Sequence, residues 1–422
     1  MMNKLRFLLS WLWIAALATQ GGELTFNGTT DKAAALYQPG ETMVFRVQLL
    51  DDSKLAAGKT LKWRRTGDDA KTETGEAVSS ATEPLAISTA LDKPGFVRIE
   101  VWVLDAKGKP LLAAKNQPVR FDGGAGVEVE KLQQGIPEPA DFDDFWTKQR
   151  ARLAEVPLKF TMVEVPSKDP AYVTCDVKID CAGGKPVSGY FTKPKGAAPK
   201  SLKAHATFMG YGIASARPYY SPGMMMLNIN AHGIENGKPN DFYKDLGAGE
   251  LKKYAFRNEE NAKPETAYFN GMILRVLRAL EFLKAQPEWD GRNLISSGGS
   301  QGGFQALAAA ALDKDVSKCL ALVPWCCDLG GVTLGRLRGW RPDWAEGLGY
   351  YDPVNMAKRS QCETTIVAGL GDYVCPPSGV CVLYNNLKAP KRLELIQGRT
   401  HSYNPPNDPQ KITLNCIVRD GS

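Results

Sequence analysis

Apolar and polar residues alternate with a period of two through the first quarter of the chain, which predicts β-strands. Met43, Phe45, Val47 and Leu49 share one face of a segment. Val97, Ile99, Val101 and Val103 share one face of another, set against Phe96, Arg98, Glu100 and Trp102. Pro39-Gly40 and Pro94-Gly95 precede these runs as turns. Short strands spaced by turns over residues 22–122 predict a β-sandwich of immunoglobulin-like type. This stretch has no cysteine, so the disulfide of antibody domains is absent. Two roles compete for it: binding polysaccharide, or packing on the rest of the chain and shaping its cleft. No aromatic platform is readable in its sequence, which favours the second.

Asp122-Gly123-Gly124-Ala125-Gly126 reads as a hinge. Pro137-Glu138-Pro139-Ala140-Asp141 then leads into a helix whose apolar face is Phe142, Phe145 and Trp146. Over residues 128–422 short apolar runs alternate with helical patterns. The runs include Val173–Ile179, His205–Met209, Met225–Asn230, Leu294–Ser297, Leu320–Pro324, Thr364–Ala368 and Leu393–Ile396. Phe269, Met272, Ile273, Val276, Leu277, Leu280 and Leu283 recur at helical spacing, with Pro264 before them and Pro287 after. Strands separated by helices imply an α/β domain, a mostly parallel sheet covered by helices on both faces.

A length of 422 residues suits two domains. The net charge of +6 is scattered, with no basic stripe interleaved with aromatics, which argues against nucleic acid as a partner. Lys4 and Arg6 precede an apolar run from Phe7 to Ala18 that ends in small residues. This reads as a cleaved signal peptide over residues 1–18, giving a secreted or periplasmic protein with no stable membrane insertion. A bilayer span needs about 20 apolar residues, more than this run supplies. All nine cysteines lie in the second part of the chain. They read as small core residues with one or two disulfides among them. No C-x-x-C pair occurs and there are three histidines, so no metal or cofactor is expected.

The chemistry centres on Gly298-Gly299-Ser300-Gln301-Gly302, between the apolar run ending at Ser297 and the alanine-rich stretch from Gly303. Strand, glycine-flanked serine and helix in that order make a G-x-S-x-G nucleophile elbow. A serine hydroxyl needs a base to take its proton and a carboxylate to orient the base. In this architecture the acid and then the histidine follow the serine. Of His205, His232 and His401 only His401 follows Ser300, in a loop after the last strand candidate. Asp372, in the glycine turn after Thr364–Ala368, is the preferred acid over Asp328, Asp343 and Asp352. The oxyanion donors are expected from the backbone N–H groups of Gln301 and of Tyr211 in the turn Gly210-Tyr211-Gly212. His232, just after a strand at the same rim, has two readings: substrate contact, or a buried structural role. His205 reads as structural. The run Gly335–Trp344, with Trp340, reads either as pocket wall or as surface packing.

The second domain resembles the acetyl xylan esterase / cephalosporin-C deacetylase family. The likeness rests on Gly299-Ser300-Gln301-Gly302-Gly303, on Gln286-Pro287-Glu288-Trp289-Asp290-Gly291, and on Gly369-Leu370-Gly371-Asp372 with Cys375-Pro376-Pro377. Ile136 through Trp146, Tyr350-Tyr351-Asp352-Pro353-Val354-Asn355 and Tyr384-Asn385-Asn386-Leu387 agree with it. The resemblance implies an α/β-hydrolase that deacetylates carbohydrate esters without a metal. Ser300, Asp372 and His401 would form its triad, and Tyr211 and Gln301 its oxyanion hole. The expected partner is an acetylated polysaccharide or oligosaccharide, and the family's ring-shaped oligomer is a further possibility. The chain departs from the family in having His232-Gly233-Ile234 where Arg-Gly-Gln is common, and His401-Ser402 where His-Glu is common. The rival readings are another serine hydrolase on this fold, a peptidase or a broader carboxylesterase, and a non-catalytic carbohydrate-binding protein.

Overall fold

A computed structural model describes residues 23–113, 117–406 and 409–416. The expected signal peptide lies outside the described residues. Strands β1 (Leu24–Thr30), β2 (Leu36–Tyr37), β3 (Met43–Asp51), β4 (Lys54–Leu55), β5 (Thr60–Gly67), β6 (Glu73–Val78), β7 (Leu85–Thr89), β8 (Gly95–Val103) and β9 (Arg120–Val127) make two sheets. In one, β3 pairs with β1, β4 and β7; the other runs β2-β9-β8-β5-β6. Phe45 and Val47 from the first sheet and Ile99 and Val101 from the second are buried, as the period-two pattern requires.

The stretch read as a hinge is the end of β9 and is buried throughout. Its glycines serve close approach rather than flexibility. The Gln397 carboxamide accepts from the Gly124 N–H (2.8 Å) and donates to the Gly124 carbonyl (2.9 Å). Gly371 lies against the Asp122 carbonyl so tightly that a Cβ there would sit 1.9 Å from the oxygen. The two domains therefore meet along this strand, backbone against backbone.

The second domain is built on a ten-stranded sheet in the order β10-β11-β12-β14-β13-β15-β16-β17-β18-β19. Its strands are β10 (Phe160–Glu164), β11 (Tyr172–Ile179), β12 (Val187–Pro194), β13 (Leu202–Phe208), β14 (Met224–Ile229), β15 (Trp289–Gly299), β16 (Val316–Leu322), β17 (Glu363–Gly369), β18 (Lys391–Ile396) and β19 (Lys411–Cys416). The run from β14 to β18 is parallel, and antiparallel strands close both edges. The helices are α1 (Phe142–Ala154), α2 (Asn240–Ala248), α3 (Asn258–Asn261), α4 (Tyr268–Lys284), α5 (Gln301–Leu312), α6 (Pro353–Ala357) and α7 (Pro377–Asn386). Helix α4 packs on α5, α5 on α6 and α6 on α7. Helix α4 is buried on nearly every side, so its two arginines turn to carbonyls. Arg275 donates to Ala231 O, and Arg278 to the carbonyls of Leu153 and Val156.

The expected disulfides are not formed. All nine cysteines are free, and seven of them are buried as small apolar side chains.

The contact at Gly371 generates a prediction. Gly371→Ala forces a methyl group into the Asp122 carbonyl, a backbone atom that cannot rotate away. It should destabilise the protein by about 2–3 kcal/mol, read as a lowered midpoint in denaturant unfolding. An unchanged midpoint would mean that the domains do not meet along β9.

Candidate active site

Strand β15 ends at Gly299 and α5 begins at Gln301, leaving Ser300 between them at φ 57°, ψ −120°. A positive φ on an L-residue costs about 1–3 kcal/mol and persists only where its surroundings enforce it. Here the Ser300 N–H donates to Leu322 O (2.9 Å), and the Ser300 carbonyl accepts from the N–H groups of Phe304 (3.0 Å) and Trp325 (3.1 Å). The flanking glycines are sterically required. A Cβ on Gly298 would lie 2.4 Å from the carbonyl carbon of Gly302, and one on Gly302 would lie 2.2 Å from Phe208 O. The strand ends and the first turn of α5 touch through backbone alone, and Ser300 is carried on that contact.

Asp372 lies in the turn after β17 and is fully buried. Its Oδ1 accepts from the N–H groups of Val374 (3.0 Å) and Cys375 (2.9 Å). Its Oδ2 pairs with His401 Nδ1 at 2.9 Å, and His401 Nε2 lies 3.1 Å from Ser300 Oγ. A carboxylate cannot donate, so Nδ1 carries the proton and Nε2 is free to accept from the serine hydroxyl. The three side chains come from the ends of three different strands and form one hydrogen-bonded chain.

The other aspartates are engaged elsewhere. Asp328 pairs with Arg336 and accepts from the Gly135 N–H (2.8 Å). Asp352 caps α6 and accepts from the N–H groups of Asp328 and Leu329. Burial, with Asp328 adding repulsion, pushes the Asp352 carboxyl up to about 7. Asp343 is exposed and pairs with Arg338.

Gly210 adjoins Ser300: a Cβ there would lie 4.0 Å from Ser300 Cβ. Among the described residues, the N–H groups of Tyr211 and Gln301 have no acceptor. The side chain of Tyr211 meets Trp340 edge-on at 4.8 Å and Trp325 at 5.5 Å. Trp325 is fully buried, whereas Trp340 is 45% exposed and stacks on it, so the Gly335–Trp344 run contributes an open aromatic face beside the turn.

A family model for acetyl xylan esterases matches residues 127–334 and 342–415, about two thirds of the chain. The chain belongs to the acetyl xylan esterase family. It is a serine carboxylic-ester hydrolase with an α/β fold. It is 27% identical to the acetyl esterase Axe7A of Xylanibacter ruminicola over 318 residues, which cover 71% of this chain and 69% of that protein. A solved acetyl xylan esterase from a Paenibacillus species is 27% identical, covering 66% of this chain and 94% of its own, with a TM-score of 0.56. The acetyl xylan esterase 1 of a Thermoanaerobacterium species, 21% identical, has the same fold, with a TM-score of 0.56 and 66% and 94% of the two chains covered.

One expectation for this esterase is corrected. His232 is 2% exposed and does not line an open surface. Its Nε2 bonds Gly212 O (2.9 Å) and its Nδ1 bonds Tyr268 Oη (2.7 Å), so both ring nitrogens are spent inside the fold. The reading of His232 as substrate-binding gives way to one of support behind the Gly210–Gly212 turn. His205 sits in the sheet with Nε2 2.7 Å from Ser297 Oγ. Sequence reasoning missed Tyr254 and Tyr268, which surround His232. Neither carries a motif, and Tyr254 joins the site only by tertiary contact, its hydroxyl lying 3.2 Å from Gln301 Oε1. Asp372, Cys375 and His401 offer donor atoms within 4.8 Å of one another, the geometry of a metal site. The aspartate and histidine already bond each other. Burial, followed by the nearby Asp372, raises the Cys375 thiol well above its ordinary range, which opposes the thiolate a metal requires.

Burial pulls the His232 imidazole down to about 4, against about 6.5 when unfolded. Between these values the unfolded chain binds the extra proton, so the contribution is complete above pH 6.5 and is lost as pH falls toward 4. The loss should be on the order of 3 kcal/mol. Urea unfolding of wild type and His232→Gln from pH 7 to pH 4 checks it: the variant should show a shallower fall, and parallel curves would refute the assignment.

Proposed function

We propose that this protein is a secreted carbohydrate esterase that removes acetyl groups from acetylated xylan or related acetylated sugars. The observation that carries the reading is the unbroken hydrogen-bonded chain Ser300–His401–Asp372 in a member of the acetyl xylan esterase family. Ser300 Oγ attacks the acetyl carbonyl while His401 Nε2 takes its proton. The N–H groups of Tyr211 and Gln301 receive the oxyanion. His401 returns the proton to the departing sugar oxygen, leaving an acetyl-serine. Water, deprotonated by His401, then attacks that ester, and acetate leaves with Ser300 restored. Asp372 holds the imidazole in the required tautomer and stabilises its cation. The exposed face of Trp340 suits packing against a sugar ring.

The charged start and apolar run of residues 4–18 support export, and no helix of the described residues is long and apolar enough to cross a membrane. The N-terminal domain reads as immunoglobulin-like. Its β5-β8-β9 sheet opposes the β1-β3-β7 sheet, with β2 running parallel to β9 at the edge. Its many contacts with the hydrolase domain support a bracing role over carbohydrate capture.

Ser300→Ala should lower acetate release from acetylated xylan and from p-nitrophenyl acetate by at least about 10⁴-fold. Asp372→Asn should cost about 10⁴-fold in kcat. Equal rates for wild type and Ser300→Ala would end the assignment. For the wild type, kcat/KM should fall on the order of tenfold or more from p-nitrophenyl acetate to the butyrate. Comparable values would favour a broad carboxylesterase, and cleavage of aminoacyl amides a peptidase.

A further inference from the structure

We propose that Tyr254 and His232 are positioning residues that clamp both backbone groups of Gly212 and so hold the N–H groups of Tyr211 and Gln301 in aim at one oxygen. The inference rests on the esterase reading above and names what keeps its oxyanion hole in shape.

The turn Gly210-Tyr211-Gly212 lies beyond the end of β13 and belongs to no ladder. At Gly212 a Cβ would meet nothing within 4 Å, so packing does not fix the backbone there. Two hydrogen bonds do. The Gly212 N–H donates to Tyr254 Oη at 2.8 Å, and the Gly212 carbonyl bonds His232 Nε2 at 2.9 Å. The Tyr254 hydroxyl has a single proton, and it donates this to Gln301 Oε1 at 3.2 Å. One oxygen thus links the turn to the residue that follows the nucleophile.

The clamp is itself anchored. The Tyr254 ring stacks on Tyr211 with centroids 4.2 Å apart and planes 12° from parallel, and the His232 imidazole meets its edge at 4.5 Å. Tyr268 Oη, on α4, lies 2.7 Å from His232 Nδ1. The imidazole is neutral because burial depresses its protonation. With Nε2–H directed at the Gly212 carbonyl, Nδ1 is left as an acceptor facing the Tyr268 hydroxyl, whose other acceptor is the Ala231 carbonyl at 3.0 Å. Arg275 holds the adjacent Ala231 carbonyl at 2.7 Å. Tyr254 and His232 are each 2% exposed and Gln301 is fully buried, so the clamp acts on the reacting atoms through the turn and does not touch substrate.

Donors that meet charge only as it develops affect kcat and leave ground-state binding nearly unchanged. Tyr254→Phe keeps the stacked ring and removes the hydroxyl. With p-nitrophenyl acetate its kcat should fall about 10- to 100-fold, with KM within about twofold of wild type. Its affinity for a trifluoromethyl ketone, which captures the serine as a tetrahedral adduct, should weaken by the same factor as kcat/KM. His232→Leu should repeat the pattern, and His232→Gln, which restores an N–H donor near the Nε2 position, should recover most of the rate. The second pair decides the matter if Tyr254→Phe does not fold. A lowered unfolding temperature with unchanged kcat, or a raised KM at constant kcat, would overturn the clamp while leaving the esterase reading intact. A wild type that neither releases acetate nor is phosphonylated at Ser300 by a fluorophosphonate would overturn both.

Discussion

The contact between the end of the sheet and the first turn of α5 governs this molecule. Phe208 O, Gly298 and Gly302 come so close that no side chain fits between them. Strands β13 and β15 therefore end at the same level, directly beneath the helix. Ser300 is forced to a positive φ by that closeness, and three backbone hydrogen bonds keep it there. Because β13 ends where it does, the turn that follows it comes beside the serine. The placement of Ser300 and of its neighbouring N–H groups is thus a consequence of one packing constraint rather than of separate devices.

Asp372 and His401 lie in turns beyond strand ends, and these turns lean on each other: a Cβ on Gly369 would lie 2.1 Å from Arg399 O, and the Gly371 N–H donates to that carbonyl at 3.0 Å. The N-terminal domain adds further support. Gly371, immediately before Asp372, rests on the Asp122 carbonyl, and Tyr373, immediately after, lies under the Arg98 guanidinium at 4.1 Å. Gln397, at the root of the loop that carries His401, is tied to both backbone groups of Gly124. Arg98 is held in turn by a two-pronged bond to Asp122 at 2.9 and 2.6 Å. Burial lifts the Asp122 carboxyl to about 6 in spite of that arginine. A buried pair of this kind adds little net stability, but losing one partner leaves the other charge stranded. The pair thus ties β8 to β9 where β9 meets the Gly371–Tyr373 turn.

The sequence carried the parts of this fold that obey a local rule. The period-two runs became strands, the helical stripe from Phe269 to Leu283 became α4, and the glycine-serine cluster became the strand-turn-helix junction. What it hid were features decided by tertiary contact. Five residues with three glycines look like a hinge until another backbone is known to lie against them. A histidine beside a strand end looks available until Gly212 and Tyr268 are seen to occupy both its nitrogens. Strand β19 has an exposed, polar face and little apolar pattern, because it lies at the sheet edge with β18 as its partner. Tyr254 is one of fourteen tyrosines, and nothing local separates it from the rest.

Each strand end that contributes to the site is secured by a different neighbour, and this leaves one wall less constrained by the sheet. Ser300 is set by glycine packing, the Tyr211 turn by buried hydroxyl and imidazole, and the turns of Asp372 and His401 by each other and by the first domain. The Gly335–Trp344 run is irregular, and it is held by a backbone bond, from the Trp340 N–H to Val374 O at 3.0 Å, and by polar side chains. Trp325 donates to Trp340 O at 2.6 Å, and Asp68 of the first domain accepts from the Leu337 N–H at 3.1 Å. Asp68 also receives the Phe96 N–H at 2.8 Å, so strand β8 and the aromatic wall share one carboxylate. Asp68 thus connects the first domain to the Trp340 run by a route that includes none of Ser300, Asp372 and His401. A fold that keeps its chemistry on rigid strand ends and its open aromatic face on a tethered excursion can alter what it accepts while the reacting groups stay where they are.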